Sequence, residues 1–256
     1  MIEIKGLQMA YGDNIVLQDM SFSIPKGSVN TIIGANGCGK TTLFKAISKR
    51  LRPKAGSVTL DGKDVWSYSN NALAREMAVL PQNPRIPSGY TVFDLVSMGR
   101  SPYLKFMGRQ SKKDEAIVEE AISDVGLMEL AHRNVLELSG GERQRAWIAM
   151  CLAQQPQILL LDEPTTFLDI SFQYEIMRLV RKLNLEKGIT VLMILHDLNQ
   201  GIRYSDQVIA ISNKTLYEIG DPAKVINEKL LEDVFHLQGE VIEDPVNGCP
   251  LVIVKK

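Results

Sequence analysis

At 256 residues and 45% hydrophobic content, the chain has enough apolar side chains to bury one large core or two small lobes, which excludes a disordered or fibrous protein. Lys and Arg number 29 against 30 Asp and Glu, a formal charge of -1, so the basic field that nucleic-acid binding exploits is missing and no nucleic-acid partner is expected. Cys38, Cys151 and Cys249 are too few and too scattered for a disulfide framework and form no CxxC pair, as in a reducing cytosol.

The opening MIEIKGLQMAYGDN lacks the basic start and apolar stretch of a signal peptide, and no apolar run approaches the ~18 residues of a membrane span. Work at a membrane would therefore need another protein to hold the chain there. Residues 2–7 and 16–24 alternate as strands, with a turn at 11–14 and another at Pro25, Lys26 and Gly27. Val29–Ile33 is a short β-branched run ending at a glycine-rich loop, and residues 41–51 beyond it read as a helix. Residues 58–60 close a turn at Asp61 and Gly62, and Met77–Leu80 is a further strand. Between about 87 and 154 the period becomes helical, with an amphipathic stretch over 111–125, which marks a helical insertion. Residues 158–161, 190–195 and 208–211 are then apolar runs of the kind buried on both faces of a sheet, with a helix over 170–186 between the first two. The alternation predicts a mostly parallel, helix-covered sheet. From Pro222 a short helix and a weak hairpin ending at 251–254 form an appendage to which the sequence assigns no role.

Gly34-Ala35-Asn36-Gly37-Cys38-Gly39-Lys40-Thr41 satisfies the Walker A phosphate-loop pattern and lies directly after a strand and before a helix. Glycines let main-chain N–H groups wrap phosphate oxygens, the helix N-terminus adds a positive dipole, Lys40 reaches the outer phosphates, and Thr41 offers Mg2+ a hydroxyl. The alternative is a plain glycine turn before a helix. Asp162 and Glu163 follow the buried run at 158–161, at the strand end where open parallel sheets bind ligands. Asp162 suits support of Mg2+, and Glu163 suits a base for an attacking water, unless both are simply solvated. His196 should also lie at a strand end, near the γ-phosphate. Gln82, at the head of the proline-broken segment 81–87, can reach Mg2+ or the water from a mobile loop.

Ser139-Gly140-Gly141-Glu142 has the spacing of a helix capping box. Capping and anion binding use the same open N–H groups, so this start is equally a second phosphate cradle. One nucleotide has one γ-phosphate, so two cradles in one chain imply a head-to-tail pair of chains sharing two ATP sites.

Taken in order, Tyr11, residues 34–42, Gln82, residues 138–144, residues 158–163, Phe167-Leu168-Asp169 and His196 resemble the full motif series of ABC-transporter nucleotide-binding domains. The resemblance implies a RecA-like P-loop NTPase of the α/β class, with a mixed sheet core, an N-terminal antiparallel β-subdomain and an inserted α-helical subdomain. It implies an adenine-stacking role for Tyr11, nucleotide contacts for residues 34–42 (Thr42 included), for Ser139, Gly140, Gly141 and Glu142, and for Asp169 of the D-loop. Lys40, Gln82, Glu163 and His196 become the catalytic group, and Thr41, Gln82 and Asp162 the Mg2+ group. The expected layout is an ATP-binding core over 1–86 and 155–221, a helical subdomain over 87–154 and an appendage over 222–256.

Residues 96–103, 166–170 and 195–200 further resemble ATPases of importers for ferric siderophores, haem and cobalamin. That implies an iron chelate as cargo, a homodimer, integral membrane permease subunits, indirectly an extracytoplasmic substrate-binding protein, and a place at the cytoplasmic face of the cell membrane. The alternatives are an ATPase for haem, cobalamin or metal-ion import, or a soluble ABC ATPase without transport. Residues 81–103 carry exposed-loop signals with Ile86, Tyr90, Val92 and Phe93, and are expected to form part of a groove for a permease helix, with Val92 and Arg100 accessible. Cys38 and Thr41 stand where serine is common in that family, and Asn30 is a polar residue inside a buried strand without evident reason.

Overall fold

The computed structural model describes residues 1–85, 88–104 and 110–255. β1 (Ile2–Tyr11) and β2 (Asn14–Ile24) form a hairpin closed at Gly12 and Asp13, where Gly12 takes the left-handed conformation that a two-residue loop requires. Ile2 and Ile4 of β1 and, beyond a break in the register between residues 4 and 7, Leu7 and Met9 are almost wholly buried. β3 (Val29–Ile33) is buried at every position and leads to α1 (Lys40–Ile47). α1 ends earlier than the helix predicted over 41–51. Lys49 turns left-handed, and the N–H groups of Arg50 and Leu51 return to the Lys45 carbonyl, a wrap that terminates the helix.

β4 (Ala55–Leu60) and β5 (Lys63–Asp64) precede α2 (Asn70–Glu76), whose Ser69 cap accepts from the Ala72 N–H, and β6 (Met77–Leu80). The helical stretch holds α3 (Val92–Ser97), a 3-10 segment (Met98–Tyr103), α4 (Lys112–Asp124) and α5 (Gly140–Ala153). β7 (Ile158–Asp162), α6 (Ile170–Lys187), β8 (Thr190–Ile194), α7 (Leu198–Tyr204), β9 (Gln207–Ser212) and β10 (Thr215–Gly220) follow. The chain closes with α8 (Pro222–Val225), α9 (Glu228–Phe235), β11 (Gly239–Glu243) and β12 (Pro250–Val254).

Two compact units result, residues 1–67 with 190–256 and residues 68–189. In the first, β2, β1, β4 and β5 pair antiparallel, while β3 runs parallel to both β8 and β9, and β10 is antiparallel to β9. This is the expected combination of a mixed sheet and an antiparallel N-terminal ribbon. The Asn30 amide nitrogen has its reason: Nδ2 donates to the Ser28 carbonyl at 3.1 Å, the Ser28 Oγ at 2.9 Å and the Val191 carbonyl at 3.0 Å, tying β3 to β8 from inside the core, while Oδ1 is buried without a hydrogen bond among the described residues. In the second unit β6 and β7 pair in parallel, and α3, α4 and α5 pack together as the helical part.

Candidate functional site

β3 is followed by Gly34, whose φ of 151° belongs to glycine; a Cβ there would lie 2.4 Å from the Ile211 carbonyl oxygen and 2.7 Å from Cys38 Sγ. Gly39 has φ 110° and sits against Leu17, whose Cδ2 would be 2.4 Å from an added Cβ. The loop therefore approaches its surroundings with bare backbone, and α1 starts without a side-chain cap, leaving its first N–H groups for another acceptor. Lys40 is 8% exposed, and its Nζ donates to the carbonyls of Gly34 at 2.7 Å and Ala35 at 2.9 Å, so its charge is held over the loop. Thr41 is exposed on the first turn and Thr42 buried. Tyr11 is half exposed, with Lys45 Nζ of α1 5.9 Å from its ring centre.

The pairing of Ile32 with Ile194 brings the ends of β3 and β8 level. His196, exposed, therefore shares a cavity of about 320 Å3 with Gly34, Ala35 and Asn36, closed on another side by Phe235 and Leu237. Asp197 then caps α7, its Oδ1 accepting from the Gln200 N–H at 3.0 Å.

In the second unit, Leu80 of β6 lies opposite Leu161 of β7, which carries Gln82 alongside the acidic pair. Gln82 Nε2 donates to Glu163 Oε2 in a short hydrogen bond, and Thr166 Oγ1 donates to the same oxygen at 3.1 Å. Glu163 has φ 54°, a left-handed conformation unusual for a non-glycine residue and of a kind that collects at functional sites. Asp162 is the last residue of β7 and half-buried.

Ser139 and Glu142 make the capping box at the start of α5: Ser139 Oγ accepts from the Glu142 N–H at 3.3 Å, and Glu142 Oε2 accepts from the Ser139 N–H at 2.8 Å. That N–H, followed by the Ser139 hydroxyl, holds the Glu142 carboxyl below the usual carboxylate range. Gly141 packs against Phe172, 2.5 Å from where a Cβ would be, so a packing demand accompanies the capping one. Asp169 occupies the N-cap position of α6 without a side-chain capping bond, two residues after Phe167, which is 88% exposed.

Arg100 and Val92 differ from expectation. Val92 is wholly buried because α3 turns it into the helical core. Arg100 is 4% exposed: its Nε meets Asp114 at 2.9 Å, an NH donates to the Ala153 carbonyl at 2.7 Å, and the guanidinium lies 3.9 Å from the Tyr103 ring centre. The Tyr103 hydroxyl donates to the Gln154 carbonyl at 2.8 Å, so both side chains cap the end of α5. The Asp114 carboxyl is pulled down to about 2, first by the Ser111 hydroxyl and N–H and then by Arg100. Ile86 lies outside the described residues.

The first unit thus brings His196 together with residues 34–36 and sets Tyr11 beside Lys45 of α1, and the second brings Gln82 together with Glu163, next to Asp162 at the end of β7. Thr166, Phe235, Leu237 and Lys45 were not anticipated; only Thr166, three residues beyond Glu163, carried a signal, that of a hydroxyl one turn past an acid. Among the described residues no group of three or more His, Cys, Asp and Glu is arranged to hold a metal. Mg2+ asks for less, one or two protein oxygens beside phosphate and water, and the Thr41 hydroxyl, the Asp162 carboxylate and the Gln82 amide are oxygens of that hard kind. A second cavity of about 200 Å3, lined by Ile117, Ala121, Leu152, Ile189 and Lys187 among others, contains none of the predicted site residues.

The profile of the family described as ABC transporter matches residues 17–166. The chain is similar to the petrobactin import ATP-binding protein FpuD of Bacillus anthracis, with 45% identity over 252 residues covering 98% of this chain and 92% of the relative. It is similar to the iron(3+)-hydroxamate import ATP-binding protein FhuC of Bacillus subtilis, at 44% identity over 96% of this chain and 92% of the relative. In structure it resembles the dimeric ATP-binding cassette MJ0796 in a post-hydrolysis state bound to ADP and Pi, with a TM-score of 0.72 and 27% identity, over 86% of this chain and 98% of that one.

Proposed function

Since the chain belongs to the ABC transporter family of ATPases, we propose that it is the ATP-hydrolysing subunit of an importer for a ferric siderophore or another iron chelate. The observation that carries turnover is Glu163, its carboxylate fixed by Gln82 and Thr166 at the end of a buried strand. In this reading Lys40 and the open N–H groups of residues 34–42 bind the phosphates of ATP, and Tyr11 stacks on the adenine. Glu163 accepts the proton of a water whose oxygen attacks the γ-phosphorus, the bond to the bridging oxygen breaks, and ADP leaves with that oxygen. Gln82 orients Glu163 and the water, and His196 donates to the γ-phosphate from beyond the end of β8. Bound Mg2+ would offset phosphate charge, with Thr41, Asp162 and Gln82 as its protein oxygens.

Ser139, Gly140, Gly141 and Glu142 of one copy face the ATP held by the other, in a homodimer with Asp169 beside the shared site. Residues 1–86 and 155–221 act as the ATP-binding core, 87–154 as the helical subdomain and 222–256 as the appendage. No helix among the described residues is long and apolar enough to cross a membrane. In this reading the dimer sits peripherally, at the cytoplasmic face, on integral permease subunits served by an extracytoplasmic binding protein. Residue 98 is the better probe of that contact, since Met98 is 44% exposed where Val92 and Arg100 are buried. The names of the relatives support the cargo.

Purification with tagged candidate permeases, followed by reconstitution, tests the reading. The expected result is ATP-dependent uptake of a radiolabelled iron chelate that stops with Glu163→Gln. Phosphate release without any membrane partner or iron uptake would contradict the transport role.

A further inference from the structure

The appendage to which the sequence assigned no role is tied by polar contacts to the helix that follows His196. Asn199 of α7 exchanges two hydrogen bonds with the backbone of Val252 in β12: its Oδ1 accepts from the Val252 N–H at 2.8 Å and its Nδ2 donates to the Val252 carbonyl at 3.1 Å. This is the pairing that a neighbouring strand would make, supplied here by one amide side chain. One turn along, on the same face of α7, Arg203 meets Asp244 at 2.7 Å, in the loop between β11 and β12.

Asp244 is 5% exposed and is itself fixed, accepting from the N–H groups of Val246 at 2.9 Å and Asn247 at 3.2 Å and from Asn247 Nδ2 at 2.7 Å. These donors, the Val246 N–H foremost, bring its carboxyl down to about 2, so it meets Arg203 as an anion. The opposite flank of α7 leaves no room for slack, because Gly201 lies against Thr31 of β3 with only 3.1 Å between an added Cβ and the threonine methyl. Ile202 of α7 and Val252 of β12 share one hydrophobic core with Ile33, the residue that precedes the phosphate loop. Asp197, next to His196, is the cap of this clamped helix.

We propose that the C-terminal hairpin is a brace for His196: Asn199, Arg203 and Asp244 are positioning residues that fix α7, and through its capped start fix the imidazole over the cavity shared with Gly34 and Asn36. Phe235 and Leu237 make the outer wall of the same cavity, so the appendage sets both the backbone behind His196 and the apolar surface beside it. Asn199, Arg203 and Asp244 do not line that cavity. Their loss displaces a catalytic side chain without removing a phosphate contact, and displacements of about 1 Å cost up to ~10²-fold in rate. The inference rests on His196 acting in ATP turnover as proposed above.

The test uses the full chain with Asn199→Leu, Arg203→Met, the conservative Arg203→Lys, and His196→Ala as the reference. The chain has three histidines, so imidazole NMR resolves His196 once His196→Ala assigns its signals, and His132 of the other unit serves as an internal control. The expected result is that Asn199→Leu and Arg203→Met shift or broaden the His196 signals and leave those of His132 in place. They should also lower kcat for ATP roughly 10-fold, with KM within about twofold, while Arg203→Lys keeps most of the rate. Rates are taken per folded chain, from circular dichroism, so that a loss of fold is not counted. Wild-type His196 signals and kcat in folded Asn199→Leu and Arg203→Met, beside a slow His196→Ala, would overturn the brace. A fast His196→Ala would instead remove the role of His196 on which the inference stands.

Discussion

The loop after β3 and the loop after β7 both leave the end of a buried parallel strand, and they spend backbone conformation in opposite ways. The first gives left-handed angles to Gly34, Gly37 and Gly39 and presents main chain, with Lys40 folded over its carbonyls. The second puts the left-handed angle on Glu163, a residue that resists it at a cost on the order of 1–3 kcal/mol, and fixes the side chain with Gln82 and Thr166. A loop that must wrap phosphates needs N–H groups and no side chains in the way. A loop that must aim one carboxylate accepts strain to aim it. In the proposed mechanism binding belongs to the first and turnover to the second, and mutations should separate the two.

The largest effect is expected from Glu163→Gln, which should slow hydrolysis by roughly 10²-fold or more with ATP binding intact, because an amide cannot take up the water's proton. Near-normal phosphate release would remove Glu163 as the base. Lys40→Ala should fail one step earlier, and an equilibrium titration with a fluorescent nucleotide should find the affinity itself reduced; unchanged affinity would erase the contrast between the loops. Arg100→Ala, at a residue whose contacts are with Asp114, Tyr103 and the end of α5, should leave nucleotide binding alone and cost about 2 kcal/mol, a fall in Tm of roughly 4–8 °C, by uncovering Asp114 and that helix end.

A smaller effect follows from acid. Asp114 and Asp244 are both held at about 2, below an unfolded value of ~3.9, so each contributes stability that is complete above that value and is lost as pH falls toward 2. Thermal melts should therefore fall between pH 5 and 3, and less steeply in Asp114→Asn; equal slopes would deny the carboxyl its role. The mildest test is chemical. Cys38 is half-buried in the phosphate loop, whereas the Cys151 thiol is buried and pushed up to about 12, out of reach of maleimide. A bulky maleimide should inactivate the enzyme unless Mg-ATP is present, and Cys38→Ser should stay active and resist. Equal sensitivity in that variant would put the reactive thiol elsewhere.

How much of this the sequence disclosed depended on the range over which each feature acts. Val29–Ile33 and Met77–Leu80 were legible to their ends, since buried β-branched and apolar runs bounded by turns have few other readings. α2, α7 and β10 were not. α2 has seven residues with only Leu73 buried, and α7 takes its place from the clamp of β12. β10 is entered through Asn213 and Lys214, both left-handed without a glycine to announce the turn. The glycine loop was legible because its spacing is local. Asn30 read as an anomaly because its partner Val191 is 161 residues away, and Arg100 read as solvated because Ala153 is 53 residues away.

The central claim, that each ATP is held by the glycine loop of one chain and the Ser139 helix start of another, is tested most directly by mixing two defective chains. Lys40→Ala and Ser139→Arg homodimers each lack any complete site. In the heterodimer, the intact loop of the Ser139→Arg chain faces the intact helix start of the Lys40→Ala chain, which restores one site. Vanadate-dependent nucleotide trapping in differently tagged, purified heterodimers reads that site without requiring transport. Trapping above both homodimer controls is the predicted result, whereas none, in heterodimers shown to have formed, would contradict the shared site.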